Sequence, residues 1–125
     1  MKITLDRAIG AARVVAQLNG IRMKSTAMAR KLFGLKKLLE PNMEFYTEEE
    51  RKLIDELGGT IREDGAILFA DQQEGFRKLV EGRRELLATE VEIPIDKPVI
   101  FHDSEGVQVS GEEIGLLEGL ADFKE

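Results

Sequence analysis

The stretch RMKSTAMARKLFGLKKLLEPNMEFYTEEERKLIDEL, residues 22–57, decides the fold. Within it Met28, Leu32, Leu35, Leu39, Tyr46 and Leu53 recur at intervals of four, three, four, seven and seven. Side chains at that spacing form one stripe along a helix that packs against another helix. Pro41 interrupts the pattern chemically, because it has no backbone N–H and crowds the carbonyl four residues earlier. Alternatively, Pro41 could open a second helix at the first-turn position that suits it. The apolar frame chooses between the two. It passes from Leu39 to Tyr46 and Leu53 without a slip, and a loop would break that register. The expectation is one helix over 22–57, kinked at Pro41 and ended by Gly58-Gly59.

Working outward, Thr4 can cap a first helix with Leu5, Ile9, Ala12 and Ala16 on its buried side. Asn19-Gly20 reads as its stop, since glycine tolerates the left-handed conformation that ends helices. Beyond the long helix, TIREDGAILF (60–69) sets two apolar flanks around Asp64-Gly65, a hairpin signal. Asp71 followed by Glu74 opens a third helix over 72–89, with Phe76, Leu79, Val80, Leu86 and Leu87 on its packing side. Running back along the long helix, it would complete an antiparallel hairpin. Val91, Ile93 and Ile95 alternate with polar neighbours or Pro94, as in a half-buried edge strand. Ser110 and Glu113 then cap a last short helix carrying Ile114, Leu116, Leu117 and Leu120. The fold class is therefore mainly α with a small β element (α+β). A long antiparallel helical hairpin, short N- and C-terminal helices and an edge β-hairpin and strand form one domain over residues 1–125.

Composition bounds the function. The chain has 125 residues, a length that supports one core without staples. Its 42% apolar and 34% charged residues fit a folded, heavily solvated protein and not a disordered tail. The absence of cysteine excludes disulfides, thiol catalysis and finger-type zinc sites. Asp6, Arg7 and Arg13 break any export-signal layout at the start, and no run of ~18 apolar residues occurs. The expected location is the cytoplasm of the cell that makes it, with no membrane segment.

The net charge of −6 hides an asymmetry. Residues 1–40 carry nine Lys/Arg against Asp6 and Glu40, a net of +7. Residues 41–125 carry nine basic against 22 acidic side chains, a net of −13. Such a dipole allows internal neutralisation in the fold, a basic surface for an acidic partner, or head-to-tail self-association.

Few residues offer chemistry. His102 is the only histidine, and its neighbours Asp103, Ser104 and Glu105 form no catalytic or metal-ligand spacing. A turn residue is the expectation for it. Gly58-Gly59 lacks the Lys-Ser/Thr that a phosphate loop requires. No catalytic residue, cofactor or metal is expected. The candidate surface is a basic stripe on the long helix: Lys24 and Lys31 on one edge, Arg30 and Lys37 on the outer face, Lys36 beside them. It could touch nucleic-acid phosphates without reading bases. Phe33 is the only aromatic interleaved with it and the overall charge is acidic, so a protein partner ranks above nucleic acid. Phe33, Phe45 and Ile54 fall outside the main seam. They are expected under the first and last helices, and any one left in an open patch would mark a partner site.

The MKIT start, the run KSTAMARKLFGLKKLLE passing into an acidic half, the turn LGGTIREDGAI, then FRKLVEGRRELLATEVEIPI and VSGEEIGLLEGL make a layout. It resembles a family of small phage and prophage proteins from tailed phages of Gram-positive bacteria. The resemblance covers nearly the whole chain, with Pro41 as the departure, and brings no active residues. Its phage setting implies a minor structural or assembly component, found in the virion, or an accessory protein that binds and inhibits a host defence or nucleic-acid-processing protein. Direct nucleic-acid binding ranks third. The partner is then another copy, a phage protein or a host protein.

Overall fold

Serine at position 25 fixes where the long helix begins. In the computed structural model, which describes residues 1–22, 25–102 and 108–124, the Met28 N–H donates to Ser25 Oγ at 3.2 Å. Helix α2 then runs unbroken from Thr26 to Glu56, with Pro41 inside it. At ~1.5 Å per residue it is roughly 46 Å long. Its end is a Schellman motif: Gly58 takes a φ of 76°, its N–H donates to the Asp55 carbonyl, and Gly59 donates to Ile54. The glycine pair ends the helix as the sequence implies, while the start lies four residues later than expected.

Before it, β1 (Lys2–Thr4) leads directly into α1 (Leu5–Asn19), capped by Thr4 Oγ1 accepting from the Arg7 N–H at 3.2 Å. Ala8, Ala11, Ala12, Val14, Val15 and Leu18 join Met28, Leu32, Leu35 and Leu39 in the main core. The small alanines let the two helix backbones approach, and each fully buried Leu or Met adds roughly 1.5–3 kcal/mol. Ala16 faces solvent instead, and Gly20 ends α1 at a φ of −80°, without the left-handed conformation expected of it.

After α2 come β2 (Thr60–Ile61) and β3 (Ile67–Leu68), an antiparallel pair turned at Gly65, whose φ is 86°. Helix α3 (Gln72–Leu87) is capped by Asp71. It runs back along α2: Gly75 lies by Phe69 near Gly59, Gly82 faces Leu53, and Arg83 reaches Glu50. The antiparallel hairpin is present, but α1 is the more extensive partner of α2. The reason lies in α3, which buries only Gly75 and Leu79. Phe76 and Val80, read as packing residues, are exposed.

The β element is larger than expected. Strand β4 (Glu90–Glu92) pairs antiparallel with β1, Ile3 opposite Val91, and Ile93 just beyond it is fully buried. Strands β5 (Val99–His102) and β6 (Ala121–Lys124) form a parallel pair around α4 (Gly111–Leu116). Phe101 stacks on Phe123 at 5.4 Å and enters the main core with Leu117 and Leu120. Ser110 and Glu113 make the full capping box on α4. Helix occupies 58% and strand 15% of the described residues, a mainly α protein with small β ladders.

Candidate interaction surface

The seam of α2 turns its opposite side outward. At 100° per residue, Arg30, Lys37, Glu44, Glu48 and Asp55 share that outward line, with Phe33 and Arg51 along one flank and Phe45 along the other. Phe33 is 52% and Phe45 42% exposed, whereas Ile54 is 2% exposed and lies close to Gly59 at the end of α2. The expectation that terminal helices cover both phenylalanines is therefore corrected. Helix α1 packs on the seam side, where Ala8, Ala11, Val15 and Leu18 share the core with Met28, Leu32, Leu35 and Leu39, and both rings stay exposed.

The basic stripe divides. Arg30 and Lys37 are exposed and Lys36 is half-buried. The Lys37 ammonium stands 5.4 Å from the Phe33 ring centre and 3.6 Å from Glu40 Oε2, so these three side chains form one surface cluster. Lys31 turns the other way: its Nζ donates to the Ile100 carbonyl at 2.8 Å and stands 5.7 Å from the Phe101 ring centre. It ties α2 to β5 and is part of the fold. Lys24 lies outside the described residues.

The C-terminal half of the same face is acidic. Glu40, Met43, Glu44, Thr47, Glu48 and Arg51 line a shallow open groove of about 530 Å³. Lys52 lies 3.2 Å from Glu49 and 4.0 Å from Glu48, and these carboxylates raise its pKa, the Glu49 hydrogen bond most.

A second open face belongs to α3. Val80 (50% exposed), Leu87 and Ala88 line a groove of about 520 Å³ with Thr4, Asp6, Arg83 and Arg84. Phe76 stands beside it, edge-on to Phe69 at 5.6 Å. Sequence reasoning missed this face because Phe76, Val80, Arg83 and Leu87 keep a four-three-four spacing that also suits a buried stripe. The arginine at the third position is the signal that separates them. On the back of α3, Arg77 reaches Glu74 and, at 2.9 Å, Glu81; the Arg77 hydrogen bond lowers the Glu74 pKa and the same contact raises that of Arg77.

His102 lies exposed at the end of β5, opposite Lys124, while Asp103, Ser104 and Glu105 lie outside the described residues. Among the described residues, no three His, Asp or Glu side chains come together as a metal site requires, and no helix is long and apolar enough to cross a membrane. Compared with protein-family models, curated proteins and solved structures, the chain matches none at a significant level.

Proposed function

We propose that this chain is a non-catalytic protein-interaction module, acting as a minor structural or assembly component of a phage particle. The observation that supports it is the outward face of α2, where Phe33 and Phe45 stand exposed among fixed charges on a rigid helix of 31 residues. Aromatic rings held in a polar rim on a rigid element are what protein interfaces use as anchors. Leaving two such rings in water on a monomer's longest helix gives nothing back to folding.

The accessory role, binding and inhibiting a host protein, is the second reading. It draws on the α3 groove, where Arg84 has no ion-pair partner among the described residues and borders Val80 and Leu87. An acidic amphipathic segment suits that chemistry.

The test is cross-linking in the producing cell, comparing the wild type with a Phe33→Ser/Arg30→Ala/Lys37→Ala variant whose fold is checked by circular dichroism. The proposal expects discrete adducts with the wild type and their loss from the variant, with the protein also present in purified particles. A wild-type chain that yields no adduct at any concentration overturns it. Adducts lost only on Val80→Asp/Arg84→Glu favour the second reading.

A further inference from the structure

We infer that the outward face of α2 binds the same face of a second copy of this chain, with the two helices antiparallel. This rests on the reading of the chain as an interaction module and names its partner.

The argument is one of charge and spacing. Arg30, Lys37, Glu44, Glu48 and Asp55 fall within about 40° of a single line down the helix. Its N-terminal half is basic and its C-terminal half acidic, apart from Arg51. A parallel pair would set Arg30 against Arg30 and Glu48 against Glu48. An antiparallel pair with its dyad near residues 42–43 sets Arg30 against Asp55 and Lys37 against Glu48, each contact made twice by symmetry. Arg30 and Lys37 are seven residues apart, as are Glu48 and Asp55, so one register satisfies both. Neither Arg30 nor Asp55 has an ion-pair partner among the described residues.

The flanks agree with that register. In an antiparallel pair, matching flanks meet, so the exposed Phe33 ring comes to the Arg51 guanidinium of the other copy, a cation–π geometry. Phe45, on the other flank, comes to Leu38 and Pro41 of the other copy. Opposed helix dipoles add a small favourable contribution. The cost falls at the dyad, where Glu44 of one copy approaches Glu44 of the other. The neighbouring Glu40 is already engaged by its own Lys37. The two kinds of opposite-charge contact outnumber this single like-charge one.

Salt dependence alone does not test the pairing, because salt screens both the local attraction and the repulsion between chains of charge −6. Charge reversal does. Arg30→Glu and Asp55→Arg change exposed residues off the buried seam, and circular dichroism checks that both variants fold. Sedimentation equilibrium of the purified full chain should show a concentration-dependent dimer, with each single variant weakened by roughly tenfold or more. Mixing the two variants in equal amounts should restore a dimer. The carboxylate introduced at position 30 of one chain then meets the guanidinium introduced at position 55 of the other, and the unchanged Asp55 and Arg30 meet at the second contact. The Arg30→Glu/Asp55→Arg double variant should dimerise by itself. Should either single variant fail to fold, Lys37→Glu and Glu48→Lys carry the same test.

A chain that remains monomeric up to ~1 mM, far above the range of functional dimers, overturns the inference. So does a dimer indifferent to the reversals, or single variants that stay apart when mixed. In any of those cases, adducts that still depend on Phe33 and Arg30 in the cell would leave the interaction reading standing with a different partner.

Discussion

Arg83 of α3 donates its Nε–H to Glu50 Oε2 of α2 at 2.9 Å, the one ion pair joining these helices among the described residues. Both side chains retain part of their exposure, 32% and 26%. Replacing Arg83 with Met leaves Glu50 half-buried without a cation. The loss should be about 1–2 kcal/mol, between the ~0–1 of an exposed pair and the ~3–5 of a broken buried one. Urea denaturation measures it, and faster hydrogen exchange in α3 would locate it. An unchanged midpoint would mean that the apolar contacts of α3, Leu79 and the close approaches at Gly75 and Gly82, hold the helix without the ion pair.

Tyr46 donates its hydroxyl proton to the same Glu50 oxygen at 2.8 Å. Burial, then the hydrogen bond and charge of Glu50, raise its pKa above the ordinary value of 10.0, against smaller opposite effects of Arg83 and Arg13. A raised pKa means that the folded state favours the protonated phenol. Its contribution is therefore complete below pH ~10 and lost as pH rises through the higher folded value. Denaturation midpoints measured across that range should fall for the wild type, and fall less for Tyr46→Phe. Identical alkaline profiles would refute the assignment.

Gly75 sits against Phe69, where an added Cβ would overlap the ring's first carbons, and at Gly59 it would come 2.7 Å from the same ring. Both glycines serve as close-approach positions under a satellite core outside the main one. Gly75→Ala should cost roughly 1–3 kcal/mol through overpacking. Adding Phe69→Ala should remove most of that specific penalty, so the double-mutant cycle has a large coupling term. Additive losses would place the strain elsewhere.

The seam of α2 was legible because Leu32, Leu35 and Leu39 repeat locally, and Leu35 proves 1% exposed. Leu35→Ala should accordingly cost roughly 2–5 kcal/mol. Its glycine stop was legible too, since Gly58-Gly59 is a local signal, whereas the apolar pattern alone puts the start at residue 22 and leaves the Ser25 cap unread. Strands β5 and β6 were not legible. Their pairing joins Val99–His102 to Ala121–Lys124 across a long intervening segment; Val99–His102 does not alternate in hydropathy, and the alternation of Ala121–Lys124 covers only four residues. Partner choice was equally hidden. A helix pattern says that a stripe is buried, not whether α1 or α3 buries it, and the alanines of α1 decided that. On the candidate face, periodicity placed Arg30 and Lys37 correctly on the outside. It could not show Lys31 reaching β5, because that contact depends on a strand the pattern did not reveal.

Lys31 therefore separates from its neighbours in the sequence, and stability should show it. Its ammonium donates to the Ile100 carbonyl at 2.8 Å and lies over Phe101, a core residue 1% exposed. Lys31→Met keeps the half-buried stem and removes only the charge and the donor. Hydrogen bonds from charged groups contribute roughly 1.5–3 kcal/mol, and partial exposure reduces that here, so a loss of about 1–2 kcal/mol is expected. Lys37→Met should stay within about 0.5 kcal/mol, since its contacts to Phe33 and Glu40 are solvated. The contrast matters for any binding assay on this surface. A variant neutralising Lys31 together with Arg30, Lys36 and Lys37 would loosen β5 as well as discharge the face, and lost binding would then have two causes. Restricting the changes to Arg30, Lys36 and Lys37 isolates the surface effect. Thermal denaturation of Lys31→Met beside Lys37→Met settles which set Lys31 belongs to. Equal midpoints would return it to the surface stripe and make the Ile100 contact energetically silent.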